Sequence, residues 1–128
     1  MVDHGVHTPE RADYPDSAAL VGRAIREDAG SLGVLVCGSG LGICIAANKI
    51  HGIRAASAWN IESAQLARAH NNANVVCIGE RLITEQESLQ IVDAFLTGTF
   101  EGGRHADRVE KITQLETTEA ESSGKCGA

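Results

Sequence analysis

Short apolar runs alternate with longer amphipathic segments along most of this chain. The runs at 34–36, 53–58 and 74–78 are bounded by glycine or polar residues, which predicts short buried strands. The segments between and beside these runs repeat apolar residues at helical spacing. Strand and helix therefore alternate at lengths that suit right-handed crossovers, and the pattern predicts a parallel sheet with helices on both faces.

Capping residues mark where the helices begin. Asp16 or Ser17 after Pro15 caps a helix that ends near residue 30, Asn60 caps one that runs to about residue 70, and Thr84 opens a capping box. Further helices are predicted at 41–49 and from residue 102 onward. Helical residues assigned to the core are Leu20, Val21, Ala24, Ile25, Ala29, Leu66, Ala67, Leu89, Val92, Phe95, Leu96, Val109, Ile112 and Leu115.

The chain of 128 residues divides into one domain, residues 1–116, and a tail, residues 117–128. The tail is rich in Thr, Glu, Ser and Gly, which predicts disorder. At the other end, Met1-Val2-Asp3-His4 starts without a preceding element, as though the chain enters within a strand.

Composition narrows the function classes. A net charge of −6 and an aromatic content of 3% argue against a nucleic-acid partner. No run reaches the roughly 18 apolar residues of a membrane span, and the N-terminus lacks the pattern of a signal peptide, so we expect a cytoplasmic protein. No Cys-x-x-Cys occurs, and the five histidines show no metal-ligand spacing with the four cysteines, so reduced thiols and no metal site are expected.

The run from Gly33 to Asn48 carries the strongest chemical signal. An apolar strand leads into a turn with glycines at 38, 40 and 42, and an apolar helix follows. Free N–H groups at the helix start would face an anion, with Cys37 at the lip of this cradle and Ser39 inside it. The spacing matches neither a dinucleotide loop nor a Walker loop. A tight turn with a structural cysteine fits these residues equally well.

Other candidates are ambiguous when each is taken alone. Arg104 and Arg108 are four residues apart on a helix, where a phosphate or a plain solvated face would suit them. His70, at a helix end, would gain from the helix dipole without any further role. Tyr14 lies in a polar segment where a surface position is the default. Cys44 and Cys77 are assigned to the core.

Taken together, several segments resemble the RpiB/LacAB sugar-phosphate isomerases, the type B ribose-5-phosphate isomerases and their relatives. The resemblance runs from about Val2 to Leu115 and includes several separate motifs in the same order. These are Cys37-Gly38-Ser39-Gly40-Leu41-Gly42-Ile43, Ile45-Ala46-Ala47-Asn48-Lys49, Gly52-Ile53-Arg54-Ala55, Ala69-His70-Asn71-Asn72-Ala73-Asn74-Val75 and Glu101-Gly102-Gly103-Arg104-His105.

The resemblance implies a three-layer αβα, flavodoxin/Rossmann-like fold and an aldose-ketose isomerase without metal or organic cofactor. It makes Cys37 the base that moves a proton between C1 and C2 of the sugar through an enediolate, and His70 the group that opens the ring. Some relatives have a glutamate base at the position of Ile43 instead. The implied oxyanion, sugar and phosphate ligands are Gly38, Ser39, Gly40, Gly42, Tyr14, Asn71, Arg81, Arg104 and Arg108.

The resemblance also implies a homodimer or homotetramer with sites shared between subunits. Ribose 5-phosphate is the default substrate among the phosphorylated sugars of the family. Family members begin with a further strand and helix, the strand ending in an Asp-His pair, and Asp3-His4 aligns instead with their second strand. The alternatives are a non-catalytic sugar-phosphate-binding relative and a flavodoxin-like redox or signalling domain. The latter would need a flavin-phosphate loop or an acidic phosphoacceptor cluster, and neither is present in the sequence.

Overall fold

The computed structural model describes residues 1–5 and 13–126, with side chains as far as residue 122. Strands and helices alternate in chain order until two helices end the chain. The elements are α1 (Tyr14–Glu27), β1 (Gly33–Cys37), α2 (Leu41–Ala47), β2 (Ala55–Ser57), α3 (Ile61–Asn71), β3 (Val75–Gly79), α4 (Glu85–Thr97) and α5 (Arg104–Cys126). Among the described residues, no helix is long and apolar enough to cross a bilayer.

The sheet is parallel, with β3 between β1 and β2. Gly33 pairs with Val75 and Cys37 with Gly79, so β1 and β3 end at the same level. All five residues of β3 are buried. Because successive strand residues point to opposite faces, Val75 and Cys77 pack with α1 and α2, while Val76 and Ile78 pack with α3 and α4. The predicted three-layer αβα arrangement is confirmed.

Two predicted helix starts are confirmed, and one is wrong. Asn60 accepts from the Ser63 amide at 2.7 Å, and Thr84 accepts from the Glu87 amide at 3.1 Å. The N-cap of α1 is Asp13, not Asp16 or Ser17. The Asp16 amide already donates to the Asp13 carbonyl at 3.1 Å, and a proline in the first turn needs no amide partner.

Several apolar residues assigned to the core are exposed instead. Ala67, Phe95 and Val109 are buried as predicted. Those that are exposed are Leu20, Ala29, Leu66, Leu89, Leu96, Ile112 and Leu115. Helical periodicity predicts the apolar stripe of a helix but not how much of that stripe the neighbouring elements cover. Ile91 fills the place beside Phe95 that the prediction gave to Leu89 and Leu96.

The two ends of the described chain also differ from prediction. Residues 117–126 continue α5 instead of being disordered. Extending an established helix costs little, and a Glu116 carboxylate accepts from the Gly52 amide at 2.8 Å, which fixes the helix there. Met1–Gly5 form no strand, and Met1 and Val2 are exposed. Residues 6–12, and residues 127–128 of the predicted tail, lie outside the described residues.

Candidate active site

The glycine turn between β1 and α2 holds a thiol and a hydroxyl on backbone amides. Gly40 is the N-cap of α2 and has a φ of 78°, a left-handed conformation that glycine adopts without strain. Its amide donates to the Cys37 Sγ at 3.2 Å, and the Leu41 amide donates to the Ser39 Oγ at 3.2 Å. A backbone N–H group binds an anion more strongly than it binds a neutral group, so the turn offers donors that suit negative charge beside Cys37.

The turn rests directly on the backbone at the end of β3. A Cβ atom on Gly79 would lie 2.4 Å from the Ser39 carbonyl oxygen, and one on Gly40 would lie 2.9 Å from the Gly79 nitrogen. The Ser57 hydroxyl donates to the Gly40 carbonyl at 3.2 Å from the other side. The cradle predicted from the sequence is therefore a fixed structure, because glycine at 40 and 79 lets backbone pack against backbone.

Two further predicted residues reach this cradle. The Arg81 guanidinium lies against Gly38, where an added Cβ would be 3.2 Å from its Cζ, and the Arg81 amide donates to the Gly38 carbonyl at 3.0 Å. The Tyr14 ring covers Gly42, where an added Cβ would be 2.7 Å from the hydroxyl oxygen. A cation and a phenol thus border the cradle.

A second group of side chains forms around His70 in the last turn of α3. The His70 and His105 rings stack with centroids 4.1 Å apart and planes 11° apart. Both present Nε2 to one oxygen of Glu101, at 3.5 Å from His70 and 3.8 Å from His105. The pKa of His105 is lowered, first by desolvation and then by the nearby charges of His70 and Arg104. Neutral His105 is therefore favoured beside His70.

Glu101 and His105 are the residues that prediction missed. Both occur in a segment that carries the family resemblance, but only Arg104 was given a role there. The Glu101 amide donates to the Ala69 carbonyl at 3.0 Å, which ties the segment before α5 to the end of α3. Glu101 and His105 are four residues apart, a spacing that the sequence contains, whereas their contacts with His70 depend on how the helices pack and have no local signal.

The remaining predicted ligands lie near the same end of the sheet as His70. Arg104 and Arg108 are exposed on the first two turns of α5. Asn71 is exposed at the end of α3, on a groove of about 960 Å³ between β2, α3 and α5. Apolar residues of that groove include Trp59, Leu66, Ile112 and Leu115.

The predicted site residues therefore form two groups at opposite edges of the sheet. Cys37 lies at the carboxyl end of β1, and α3 runs back from the carboxyl end of β2, so His70 lies at the amino edge, just before β3. Five-residue strands separate the edges by about 13 Å. Within residues 1–5 and 13–126, no hydrogen bond, ion pair or ring contact links the groups.

The assignments of the other candidate residues are simpler. Ile43, the alternative base position, is buried with 2% of its surface exposed. Cys77 is buried, as predicted. Cys44 is only half-buried, and hydrogen bonds from Cys77 and Ser57 lower its pKa to about 6 although burial opposes this. Its Sγ donates to the Ala55 carbonyl at 3.5 Å rather than facing the cradle.

Comparison with known proteins agrees with both the motifs and the fold. Residues 1–112 match the Ribose/Galactose Isomerase family. Ribose-5-phosphate isomerase B of Escherichia coli is 46% identical over 116 residues, which cover 91% of this chain and 78% of that protein.

Two solved structures show the same fold. Ribose-5-phosphate isomerase B of Clostridium thermocellum superposes with a TM-score of 0.89 at 45% identity, covering 92% of this chain and 80% of that one. The Mycoplasma genitalium enzyme, solved with bound ribulose 5-phosphate, gives a TM-score of 0.86 at 45% identity, covering 91% and 78%. With its sheet, glycine cradle and matched sequence, the chain belongs to the Ribose/Galactose Isomerase family.

Proposed function

We propose that this chain is an aldose-ketose isomerase that interconverts ribose 5-phosphate and ribulose 5-phosphate. The observation that carries the proposal is the Cys37 thiol, held at 3.2 Å by the Gly40 amide at the mouth of the cradle. A thiolate beside backbone amide donors is suited to proton abstraction next to a carbonyl group. The relatives named as ribose-5-phosphate isomerase B, one of them with bound ribulose 5-phosphate, support this choice of substrate.

The reaction is a proton transfer within one sugar. The Cys37 thiolate takes the proton from C2 of the open-chain aldose. A double bond forms between C1 and C2, and the former C1 carbonyl oxygen carries the negative charge of the enediolate. The cradle amides and the Ser39 hydroxyl stabilise the negative oxygen. The Cys37 thiol then returns a proton to C1, a proton moves from O2 to O1, and the ketose is formed. Atoms and charge balance without a redox partner.

The remaining residues bind and prepare the sugar. His70 moves the proton between the ring oxygen and the anomeric hydroxyl when the ring opens, with Asn71 beside it. Tyr14 lines the sugar next to Gly42. Arg81, Arg104 and Arg108 supply positive charge for the phosphate. A guanidinium pair one helical turn apart, as in Arg104 and Arg108, gains stability when an anion lies between them.

Two copies of the chain are needed for this assignment. Cys37 and His70 lie at opposite edges of one sheet, so a site containing both is supported only if a second copy places its amino edge against the cradle. The exposed apolar residues Trp59, Leu66, Ile112 and Leu115 form a surface that a second copy would cover. We therefore propose a homodimer or homotetramer with shared sites.

Cys37→Ala tests the proposed base. We expect proton exchange at C2, measured as deuterium uptake into the substrate, to fall by about 10²–10⁴-fold because the variant lacks the proposed base. Cys126→Ala, which removes a thiol at the end of the chain, is the matched control and should exchange at the normal rate. Normal exchange in Cys37→Ala would overturn the assignment of Cys37.

A sugar-phosphate-binding protein without turnover is the second candidate. The separation of Cys37 and His70 within one chain favours a binding protein without turnover if no second copy associates. Calorimetric titration with ribose 5-phosphate, run beside a turnover assay on the same sample, distinguishes the two. Binding without turnover would support the second candidate, and turnover would exclude it.

A further inference from the structure

Three side chains from three parts of the chain bring metal-binding atoms together at the amino edge. His70 comes from the end of α3, Glu101 from the α4–α5 connection and His105 from the first turn of α5. One ligand atom from each lies within 4.8 Å of the other two. Imidazole nitrogen and carboxylate oxygen are ligands that zinc accepts, and two histidines with one glutamate make a known type of zinc ligand set. We call these residues the His-Glu-His cluster.

The distances in the cluster are close to those of a coordinated ion. Zinc–ligand bonds of about 2.1 Å at tetrahedral angles place neighbouring ligand atoms about 3.4 Å apart. The Nε2 atoms of His70 and His105 lie 3.5 and 3.8 Å from the same Glu101 oxygen. Each imidazole–carboxylate distance is therefore within a few tenths of an ångström of the separation expected between two ligands of one ion. The near-parallel rings must also fan apart for both nitrogens to face one ion.

Backbone contacts hold the cluster in place while leaving it open to water. The Glu101 amide bonds to the Ala69 carbonyl at 3.0 Å, and the His105 amide bonds to the Gly102 carbonyl at 3.1 Å. The side chain of His105 is 11% exposed, whereas that of Glu101 is 58% exposed. An ion bound here would have protein ligands on one side and room for water on the other.

A simple ion pair between histidine and glutamate is the competing explanation, and the chain contains one for comparison. His51 Nδ1 lies 3.6 Å from a Glu116 oxygen, at a distance like those in the cluster but without a second imidazole among the described ligand groups. Among the residues that the structure describes, only the cluster offers three ligand atoms. His51 therefore provides a matched control for a test of metal binding.

We propose that His70, Glu101 and His105 bind one Zn²⁺ ion per chain, with water completing the coordination, and that the bound ion inhibits the enzyme. Inhibition rests on the proposed function, in which His70 moves a proton during ring opening. A nitrogen bound to zinc cannot accept that proton, so zinc and ring opening exclude each other at His70. Arg104 and Arg108, on the same helix, are left free for phosphate.

Calorimetric titration of the purified chain with Zn²⁺ tests the site without any reference to activity. We expect one ion per chain, and at least about a tenfold loss of affinity in His105→Asn and in Glu101→Gln, because each removes one ligand. His51→Asn and Cys37→Ala should bind as the unmodified chain does. Mg²⁺, which prefers an all-oxygen octahedral site, should not compete.

Two outcomes would overturn the site: unchanged zinc affinity in His105→Asn, or loss of binding in Cys37→Ala, which would place the ion on the thiol. Turnover of ribose 5-phosphate with and without Zn²⁺ then tests inhibition. We expect activity to fall as the site fills and to return with a chelator, and His105→Asn to resist the same zinc concentration. Zinc bound at the cluster with undiminished turnover would overturn the inhibitory role.

Discussion

The two edges of the sheet carry chemistry that is built in different ways. At the carboxyl edge, the cradle is formed by six consecutive residues, 37–42. The amide that donates to the Cys37 Sγ belongs to Gly40, only three residues further along the chain. At the amino edge, the cluster joins Glu101 and His105 to His70, which lies far from both in the sequence. The cradle therefore depends on local backbone conformation, and the cluster depends on how α3, α4 and α5 pack.

The two edges also differ in how they stabilise charge. The cradle offers backbone N–H groups, whose donor strength does not change with pH. The cluster uses groups that titrate, and the pKa of His105 is lowered by desolvation and by the neighbouring His70 and Arg104. An oxyanion that forms briefly is served by fixed dipoles, whereas a proton in transit needs a group that changes protonation state.

The largest expected effect is the recovery of activity when two inactive variants are mixed, which tests whether the two edges of the sheet form one shared site. Cys37→Ala and His70→Asn should each be nearly inactive alone, since one lacks the proposed base and the other lacks the proposed ring-opening group. In mixed dimers with shared sites, one site regains both residues, so about a quarter of the normal activity should appear. Turnover is measured before and after the variants are dissociated and reassociated.

The control for this mixing is reassociation of each variant with itself, which should give no gain. If one chain supplies both residues of a site, every site in the mixed dimer lacks one residue. Mixing would then recover nothing, and the shared site would be wrong.

A methyl group at Gly79 should disrupt the packing of the cradle on the end of β3. The added Cβ would lie 2.4 Å from the Ser39 carbonyl, a backbone atom that cannot move without displacing the cradle. We expect Gly79→Ala to lower the free energy of unfolding by about 3 kcal/mol. Gly30→Ala is the control, since it meets no atom within 4 Å and costs only the left-handed φ of 86°, about 1 kcal/mol.

Urea unfolding of both glycine variants gives the comparison. Equal losses of stability in Gly79→Ala and Gly30→Ala would show that the cradle and the end of β3 are not packed backbone to backbone.

The smallest effect is expected at Asn72, which ends the helix that carries His70. Asn72 has a φ of 46°, and its side-chain oxygen accepts from Arg68 at 3.1 Å. Asn72→Ala should lower the free energy of unfolding by about 1–2 kcal/mol, because it adds left-handed strain and loses this bond. Asn72→Gly removes the strain and keeps only the loss of the bond. A similar penalty in both variants, measured by urea unfolding, would argue against backbone strain at this position.

Local features of the fold were predictable because their causes are local. The caps at Asn60 and Thr84 require a side-chain acceptor three residues before an amide, and the cradle requires glycines between a strand and a helix. The start of α1 was placed too late because Pro15 fits within the first turn as well as before it. Leu89 and Leu96 are exposed, and a helix pattern alone does not show which part of α4 its neighbours cover.

By itself, the sequence determined the order of strands and helices, the parallel sheet, the cradle around Cys37 and the resemblance to one enzyme family. The tertiary structure alone decided that β3 lies in the middle of the sheet, that Tyr14 and Arg81 border the cradle, and that His70 meets Glu101 and His105 at the opposite edge. The physical reason is the separation along the chain of the residues that interact. Hydrogen bonds within a turn are set by neighbouring residues, whereas contacts between helices are set by how their apolar faces pack on a shared sheet.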